Sequence, residues 1–476
     1  MKRFIEGADR TQAMLLPECV EDYVEPDNPV RVVEAFVEQL DLRAMGFAGS
    51  DRQATGRPAY HPAVLLKIYI YGYLNRIQSS RRLEHETQRN VELMWLTGRL
   101  MPDFKTIANF RKDNGRAIRQ VCRQFIVLCR QLNLFTQVLV AIDGSKFKAV
   151  NNRDKNFTSA KMKRRMAAIN ESIERYLTSM DTADRAEPEV AALKKGRLKD
   201  KIDALRQQMQ ELQAIDAQMN ASPDKQVSLT DPDARSMKNR EGGIVGYNVQ
   251  TAVDVEHHLI VAHEIVTDGV DRDQLAPMAE QAREAIGTEE LTVVADRGYF
   301  KGEQILECAN AGITALVPKT LTSNSRAEGR FDKQDFIYMA ADDEYRCPAG
   351  ERAIRRFTTV ENGLTIHKYW TSACPRCPIK AQCTTGDYRR ISRWEHEAVM
   401  EAMQDRLDRQ PDIMRVRRQT AEHPFGTLKL WMGASHFLTR TLKHVRTEMS
   451  LHVLAYNLKR VMRILGIGEM LKVLAT

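Results

Sequence analysis

Three carboxylates and a set of cations stand out by type and spacing. Asp143 follows the β-rich run Gln137-Val-Leu-Val-Ala-Ile142, and Asp296 follows a second such run, Leu291-Thr-Val-Val-Ala295. The carboxyl end of a strand in an α/β sheet is where ligands and chemistry gather, because the sheet holds a side chain rigid while it faces a crevice. Taken singly, each has a plainer reading, since aspartate is a common turn residue after a strand. Asp254 also follows a strand-like run and is the obvious decoy. The third carboxylate is Glu422, inside Arg415-Val-Arg417-Arg418-Gln-Thr-Ala-Glu422-His423-Pro424-Phe-Gly-Thr-Leu-Lys429. Arg415, Arg418, Glu422 and Lys429 are separated by three, four and seven residues, which puts them on one face of a helix. Solvated helices carry such patterns too. Phe425, Leu428 and Trp431 mark this helix as partly buried, and Pro424 must kink or divide it soon after Glu422.

Three carboxylates in one crevice repel each other unless cations join them. Hard divalent ions remove the conflict, and magnesium in particular is held by few carboxylates while sharing substrate phosphates. Two such ions about 3.5–4 Å apart activate a nucleophile and stabilise the leaving oxygen of an in-line phosphoryl displacement. Asp143, Asp296 and Glu422 are therefore the expected ligands of two magnesium or manganese ions. Arg418 and Lys429, with Arg415 beside them, are expected to grip a nucleic-acid backbone. The chemistry implied is metal-assisted cutting and joining of phosphodiesters.

The elements around these residues fall into zones. Residues 1–130 read mostly as helix: Val33, Phe36, Val37 and Leu40 recur at helical spacing in Arg31–Leu42, and Leu65, Leu66, Ile68, Tyr69 and Tyr73 do so in His61–Leu74. Pro62 suits a first turn, and Asp103 or Thr106 can cap a short helix over Lys105–Arg111. Lys105, Thr106, Asn109, Arg111 and Lys112 then form one basic stretch able to meet phosphates and base edges, or simply a solvated helix face. Strands are expected at 137–142, 246–254, 258–266, 291–296 and 313–318, with a helix at 274–286. Between the first strand and the rest, 157–222 carries two apolar stripes, Met162-Met166-Ile169-Ile173-Leu177 and Leu198-Ile202-Leu205-Met209-Leu212-Met219, and reads as an inserted antiparallel helical hairpin. Met449–Leu465 is an amphipathic helix.

A separate cluster lies in 336–395. Cys374-Pro-Arg-Cys377, with Cys383 six residues on and Cys347 upstream, has the ligand type and grouping of a structural zinc site. An iron–sulfur cluster or four free thiols are the alternatives, and His367 and His396 can substitute as ligands. Cys19, Cys122, Cys129 and Cys308 sit singly in apolar segments and are expected to be buried. Trp370 and Trp394 read as core residues, with stacking on a displaced base as the sharper alternative. His423 reads as a hydrogen-bonded structural histidine.

The chain has 476 residues, ample for several structural units, and its 71 basic against 63 acidic residues give a net charge of +8. Hydrophobic content of 43 % and charged content of 28 % exclude wholesale disorder. No apolar run approaches a membrane span, and the polar start Met1-Lys2-Arg3-Phe4-Ile5-Glu6 is unlike a signal peptide. Eight cysteines are too few for a disulfide scaffold, so a reduced, cytoplasmic protein is expected.

The whole set resembles the DDE transposases of bacterial insertion sequences, which are built on an RNase H-like core. Their third carboxylate lies in a signature Tyr, two residues, Arg, three residues, Glu, six residues, Lys. Arg418, Glu422 and Lys429 match it, and Arg415 replaces the tyrosine. Ala141-Ile-Asp143-Gly-Ser-Lys146, Gly246-Tyr-Asn-Val-Gln250, Ala295-Asp296-Arg-Gly-Tyr299, Glu422-His-Pro-Phe-Gly426 and Ala455-Tyr-Asn-Leu-Lys-Arg460 carry the resemblance in the right order, over about residues 55 to 465. It implies an α/β protein with an RNase H-like mixed-sheet core (137–335 and 396–465), interrupted by the hairpin at 157–222 and the cysteine-rich insertion at 336–395. Asp143, Asp296 and Glu422 become the catalytic triad. Hydrolysis at the element's ends is followed by attack of a 3′-hydroxyl on target DNA. Arg57-Pro58-x-x-His61-Pro62 and Asp103–Arg111 are similar to the all-α domain (1–130) that recognises terminal inverted repeats. The implied partners are duplex DNA, from terminal repeats and target, and a second copy of the chain in a synaptic complex. The implied location is the cytoplasm of a bacterium, at the nucleoid, with no membrane. A transposase-derived DNA-binding regulator and a metal-dependent nuclease that cuts without joining are the rival readings.

Overall fold

The computed structural model describes residues 19–50, 59–183, 188–222, 224–239, 242–320 and 325–475. Arg57 and Pro58 of the helical motif, and the first eighteen residues, lie outside the described residues. Six helices come first: α1 (Pro29–Glu38), α2 (Pro62–Leu74), α3 (Ser80–Thr87), α4 (Val91–Thr97), α5 (Phe104–Asp113) and α6 (Gly115–Gln131). Their starts follow local chemistry. Proline opens α1 and α2, where a missing N–H costs nothing. Asp103 caps α5 by accepting from the backbone N–H groups of Lys105 and Thr106 at 2.8 and 2.9 Å.

The chain then enters a mixed sheet. Strand β1 (Leu139–Lys148) is followed by the short β2 (Asn156–Thr158), the helices α7 (Ser159–Ala183) and α8 (Pro188–Ala221), and the short β3 (Gln226–Ser228). Strands β4 (Arg235–Asn239), β5 (Gly242–Asp254) and β6 (Ile260–Val266) come next. Helix α9 (Leu275–Ile286) leads to β7 (Leu291–Val294), α10 (Gly302–Asn310) and β8 (Ile313–Leu316). The sheet runs β5-β1-β7-β8, with β4 and β6 both on the far edge of β5. β1 is antiparallel to β5 and parallel to β7, and β7 is parallel to β8.

Helices α7 and α8 pack against each other as a helical pair. β2 pairs with β3 at its root, and Met162 at the start of α7 packs with Leu212 and Met219 at the end of α8, beside Phe157 and Val227. Toward the tip Leu177 and Leu193 are exposed. Midway along α8, Ile202 is buried as well, so the cover of the stripes is lost only near the tip.

A second sheet, wholly antiparallel, follows: β9 (Ile337–Met339), β10 (Glu344–Arg346), β11 (Arg352–Glu361), β12 (Leu364–Trp370) and β13 (Ile391–Trp394). The chain closes with α11 (Glu397–Arg409), α12 (Ile413–Gly426), α13 (Leu442–Leu465) and α14 (Ile467–Leu474). One core cluster joins α1, α2 and α6 to α13 and to Tyr247, Val249, Val253 and Ile265 of the mixed sheet. Another joins β1, β7 and β8 to α9, α10, α11 and α12. Among the described residues no helix is long and apolar enough to cross a membrane.

Candidate active site

Strand register brings the two aspartates together. The last parallel pair between β1 and β7 is Ala141 beside Val294. Asp143 and Asp296 each stand two residues further on, so their side chains leave the sheet at the same level. The expectation that the first strand ends at Asp143 is corrected here. β1 continues to Lys148 against β5, with Asp143 opposite Thr251. What stops near Asp143 is the pairing with β7, which leaves both carboxylates partly exposed at the end of the parallel strands. Asp254 is paired with Val140, at the other end of the strand, and is fully buried.

Helix α12 crosses this point with a buried face of Ile413, Arg417, Thr420, Ala421, Pro424 and Phe425. Arg417 reaches between the aspartates: Nη2 lies 2.6 Å from Asp143 Oδ1 and 3.8 Å from Asp296 Oδ2. Asp296 is also fixed by Gly298 N–H, which donates to Oδ1 at 2.7 Å. A third carboxylate is close by. Asp271, in the loop between β6 and α9, accepts from Asn248 Nδ2 at 2.6 Å and Gln250 Nε2 at 2.7 Å, and its Oδ2 is 3.4 Å from Lys146 Nζ. Tyr299 lies beneath, buried, donating its hydroxyl to Gln250 Oε1. Burial pushes the Asp143 carboxyl up to about 6; Arg417 opposes the shift, while the charges of Asp296 and Asp271 add to it.

Glu422 stands differently. It is exposed and, among the described residues, makes no hydrogen bond or ion pair. Five residues beyond Arg417, it is turned about 140° around the helix from it. Helix α12 runs through Pro424 without dividing, and the chain then widens into a π turn over Thr427–Trp431. Arg415 and Arg418 are exposed, with Arg415 4.0 Å from Asp412. Lys429 is drawn inward: Nζ donates to Ser145 Oγ at 2.6 Å and to the Lys146 carbonyl at 3.0 Å, and sits over the Phe147 ring. His423 Nδ1 is 3.1 Å from the Tyr456 hydroxyl, which itself donates to the His258 carbonyl. Among the described residues no three His, Cys, Asp or Glu side chains are grouped so as to hold a metal ion.

The other candidates divide. On α5, Lys105 and Asn109 are exposed and Thr106 is tied to the Asp103 cap at 3.0 Å. Arg111 turns into the helical bundle, donating to Tyr73 Oη at 3.0 Å and covering the Tyr69 ring. Cys347, Cys374, Cys377 and Cys383 all line one cavity of about 30 Å³, room for a single small ion or water. Burial raises the Cys383 thiol, and the three neighbouring thiols add to that. Cys122, Cys129 and Cys308 are buried as expected; Cys19 is exposed, because it caps a short 3₁₀ turn rather than entering a core. Trp394 is buried, and Trp370 is half-buried with Arg356 and Arg390 against its ring. A groove of about 750 Å³ at the root of the hairpin is lined by Lys148, Lys161, Arg164 and Arg165, with Asp154 opposing them.

Sequence reasoning missed that Arg417 and Asp271 lie near the two aspartates. Arg417 is one residue before Arg418 and so off the face shared by Arg418 and Glu422. Asp271 lies in a loop with no periodicity to flag it; its one signal is an acid between a strand and a helix.

The sequence profile of a transposase DDE domain matches residues 207–458, which is more than half of the chain and includes Asp296 and Glu422. The chain belongs to the DDE transposases. A second transposase domain profile, DUF772, matches residues 18–113, the span of α1 to α5 in this transposase. Comparison with curated proteins returns no match. Among solved structures, the piggyBac transposase synaptic complex with hairpin DNA is similar over 94 % of this chain and 79 % of its own, at 8 % identity and a TM-score of 0.31. DDE transposases generally use divalent metal ions.

Proposed function

We propose that this transposase cuts DNA at the ends of an insertion sequence and joins them to target DNA by in-line phosphoryl transfer, with Asp143, Asp296 and Glu422 as its catalytic carboxylates. The observation that carries the reading is the register that sets Asp143 beside Asp296 at one end of the parallel strands. In this reading the mixed sheet is an RNase H-like core, residues 1–130 recognise the terminal repeats, and two copies of the chain meet at synapsis.

The donor set is hard oxygen, and the pair already attracts a buried cation, Arg417, which supports a divalent-metal site of magnesium or manganese held by Asp143, Asp296 and Glu422. Such ions supply activation of the attacking oxygen and charge stabilisation at the leaving oxygen. The chain's own residues do the rest. The sheet fixes Asp143 and Asp296; Arg415 and Arg418, exposed beside Glu422, contact phosphates of the bound strand. Lys429 braces Ser145 and so the strand that carries Asp143. The basic groove at the hairpin root and the exposed Lys105 and Asn109 are further DNA contacts in this reading.

The test is cleavage and joining of a labelled duplex carrying the element's terminal repeat, with magnesium or manganese. Wild type is expected to release 3′ ends and join them, and Glu422→Gln to lose both while retaining DNA binding. Cleavage without joining would instead make the protein a nuclease, and binding without chemistry in either protein would make it a regulator.

We propose in addition that Cys347, Cys374, Cys377 and Cys383 hold one structural zinc. All four thiols are among the residues that line one small cavity, although no three of them are yet gathered in a ligand geometry, and soft sulfur donors suit that metal. Purified protein is expected to carry one zinc per chain, and Cys374→Ser to lose it and lower the melting temperature; metal-free wild-type protein of equal stability would remove the site.

A further inference from the structure

Leu430 and Trp431 are the two most exposed large apolar side chains among the described residues, at 77 % and 72 %, and they are neighbours in the chain. Trp431, expected from the sequence to help bury α12, is exposed instead. A single exposed apolar side chain needs no explanation; two large ones side by side on a fixed backbone do. The backbone here is fixed. Leu428 and Met432, on either side, are buried in the core shared with α13. Met432 N–H donates to the Thr427 carbonyl and Ala434 N–H to the Leu428 carbonyl, both at 2.9 Å. From the loop between α2 and α3, Arg76 Nη2 donates to the Leu430 carbonyl at 3.1 Å and Gln78 Nε2 to the Met432 carbonyl at 2.9 Å. The π turn therefore presents Leu430 and Trp431 as a rigid apolar tip.

The chain around this tip is basic. Between Glu422 and Glu448 it carries Lys429, Arg440, Lys443 and Arg446 and no Asp or Glu, and Asn75–Arg82 adds Arg76, Arg81 and Arg82, again with no acid. Glu448 is fully buried and accepts from the N–H groups of Leu438 and Thr439 at 2.8 Å. Such a rim complements a phosphate backbone. The tip also lies close to the strand of Asp143. Lys429, next to Leu430, donates to Ser145 Oγ, and Ser145 shares a face of β1 with Asp143, about 7 Å along the strand. Leu430 is eight residues past Glu422, about 12 Å at helical rise.

We propose that Leu430 and Trp431 form a wedge that enters the base stack of DNA bound at the Asp143–Asp296 site and parts one base step near the phosphate that is cut. Cations hold the phosphates while the indole and the leucine side chain replace the stacking that the bases lose. A separation of about 12 Å corresponds to three or four base pairs at roughly 3.4 Å each. The inference rests on the proposed reading that DNA ends are cut at these aspartates.

The experiment uses the full-length protein and a duplex carrying the element's terminal repeat, with 2-aminopurine at each position in turn near the cut and no divalent metal, so that no strand is cleaved. 2-Aminopurine brightens when it leaves the stack. At protein concentrations that saturate the DNA, wild type is expected to raise the signal about threefold or more at one position within about four base pairs of the cut. Trp431→Ala is expected to abolish that rise, Leu430→Ala to reduce it by about half and Trp431→Phe to keep it. Thermal melting followed by circular dichroism should be unchanged in all three, because both side chains are exposed. If Trp431→Ala binds too weakly to saturate, Leu430→Ala decides alone. A rise that survives in both alanine variants, or no rise at any position of a duplex that wild type binds, overturns the wedge and leaves the cleavage reading standing. In that case, conversion of a dimer to a monomer by Trp431→Ala in sedimentation would assign the tip to a contact between copies of the chain. Wild type that does not bind the duplex overturns the wedge together with the reading on which it rests.

Discussion

The aspartates of this protein are told apart by their surroundings rather than by their position after a strand. Asp143 has a guanidinium and is partly exposed; Asp254 has no cation beside it among the described residues and is fully buried. Its Oδ2 accepts from His257 N–H at 2.6 Å, while its buried Oδ1 has no partner. Burial pushes the Asp254 carboxyl up to about 6, with the His257 N–H opposing. A carboxyl raised in the folded state is most comfortable protonated, so the penalty is absent below its unfolded pKa and grows as pH rises from about 4 through 6. Asp254→Asn should therefore match wild type in denaturant unfolding below pH 4 and be more stable by about 2 kcal/mol at pH 7. Equal stability at pH 7 would mean that water reaches the carboxylate.

At the scale of elements, the site depends on how closely β1 and β5 approach. Gly246 faces Lys148 in the ladder, and a Cβ there would overlap the Phe147 carbonyl oxygen and lie 2.9 Å from its carbon. Both are backbone atoms and cannot swing aside. Gly246→Ala is thus expected to cost about 3 kcal/mol and to shift the strand that carries Asp143 and braces Lys429. The checks are the unfolding midpoint and loss of DNA cleavage beyond what the stability change explains. Helix α12 is shaped by a similar backbone constraint. Pro424 offers no N–H to the preceding turn, and the hydrogen-bond ladder loosens into the π turn that swings Lys429 onto β1.

At the scale of the molecule, the helical N-terminal region is not closed on itself. Val445, Met449, Leu454 and Leu458 of α13 lie in the same core as Phe36, Tyr69, Tyr73 and Phe125. The His452 ring sits edge-on to Tyr73 with centroids 4.6 Å apart, and Gly115 packs against Thr447. A fragment ending at residue 134 would expose that apolar surface to water. It is expected to be unfolded or self-associated, seen as collapsed amide dispersion in a ¹H–¹⁵N spectrum, whereas adding a 442–465 peptide should restore order. A well-dispersed monomeric fragment would show instead that the region folds alone. Sharing one core with α13 gives α5 a direct mechanical link to the mixed sheet.

The sequence by itself determined the first-turn proline at Pro62, the cap at Asp103, the cysteine cluster and the family, because each is written in local spacing. It also named Asp143 and Asp296. What it did not contain was the relation between strands distant in the chain. Only the pairing of Ala141 with Val294 makes those two aspartates neighbours, and only the face that α12 buries decides that Arg417, rather than Arg415 or Arg418, meets them. Asp271 comes near Asp143 and Asp296 for the same reason. It sits in a loop without a pattern, and Asn248 and Gln250 of a neighbouring strand, some twenty residues earlier in the chain, hold it in place. Helical and strand periodicity report which side of an element is apolar; the three-dimensional packing of elements decides which polar side chains are left to meet each other.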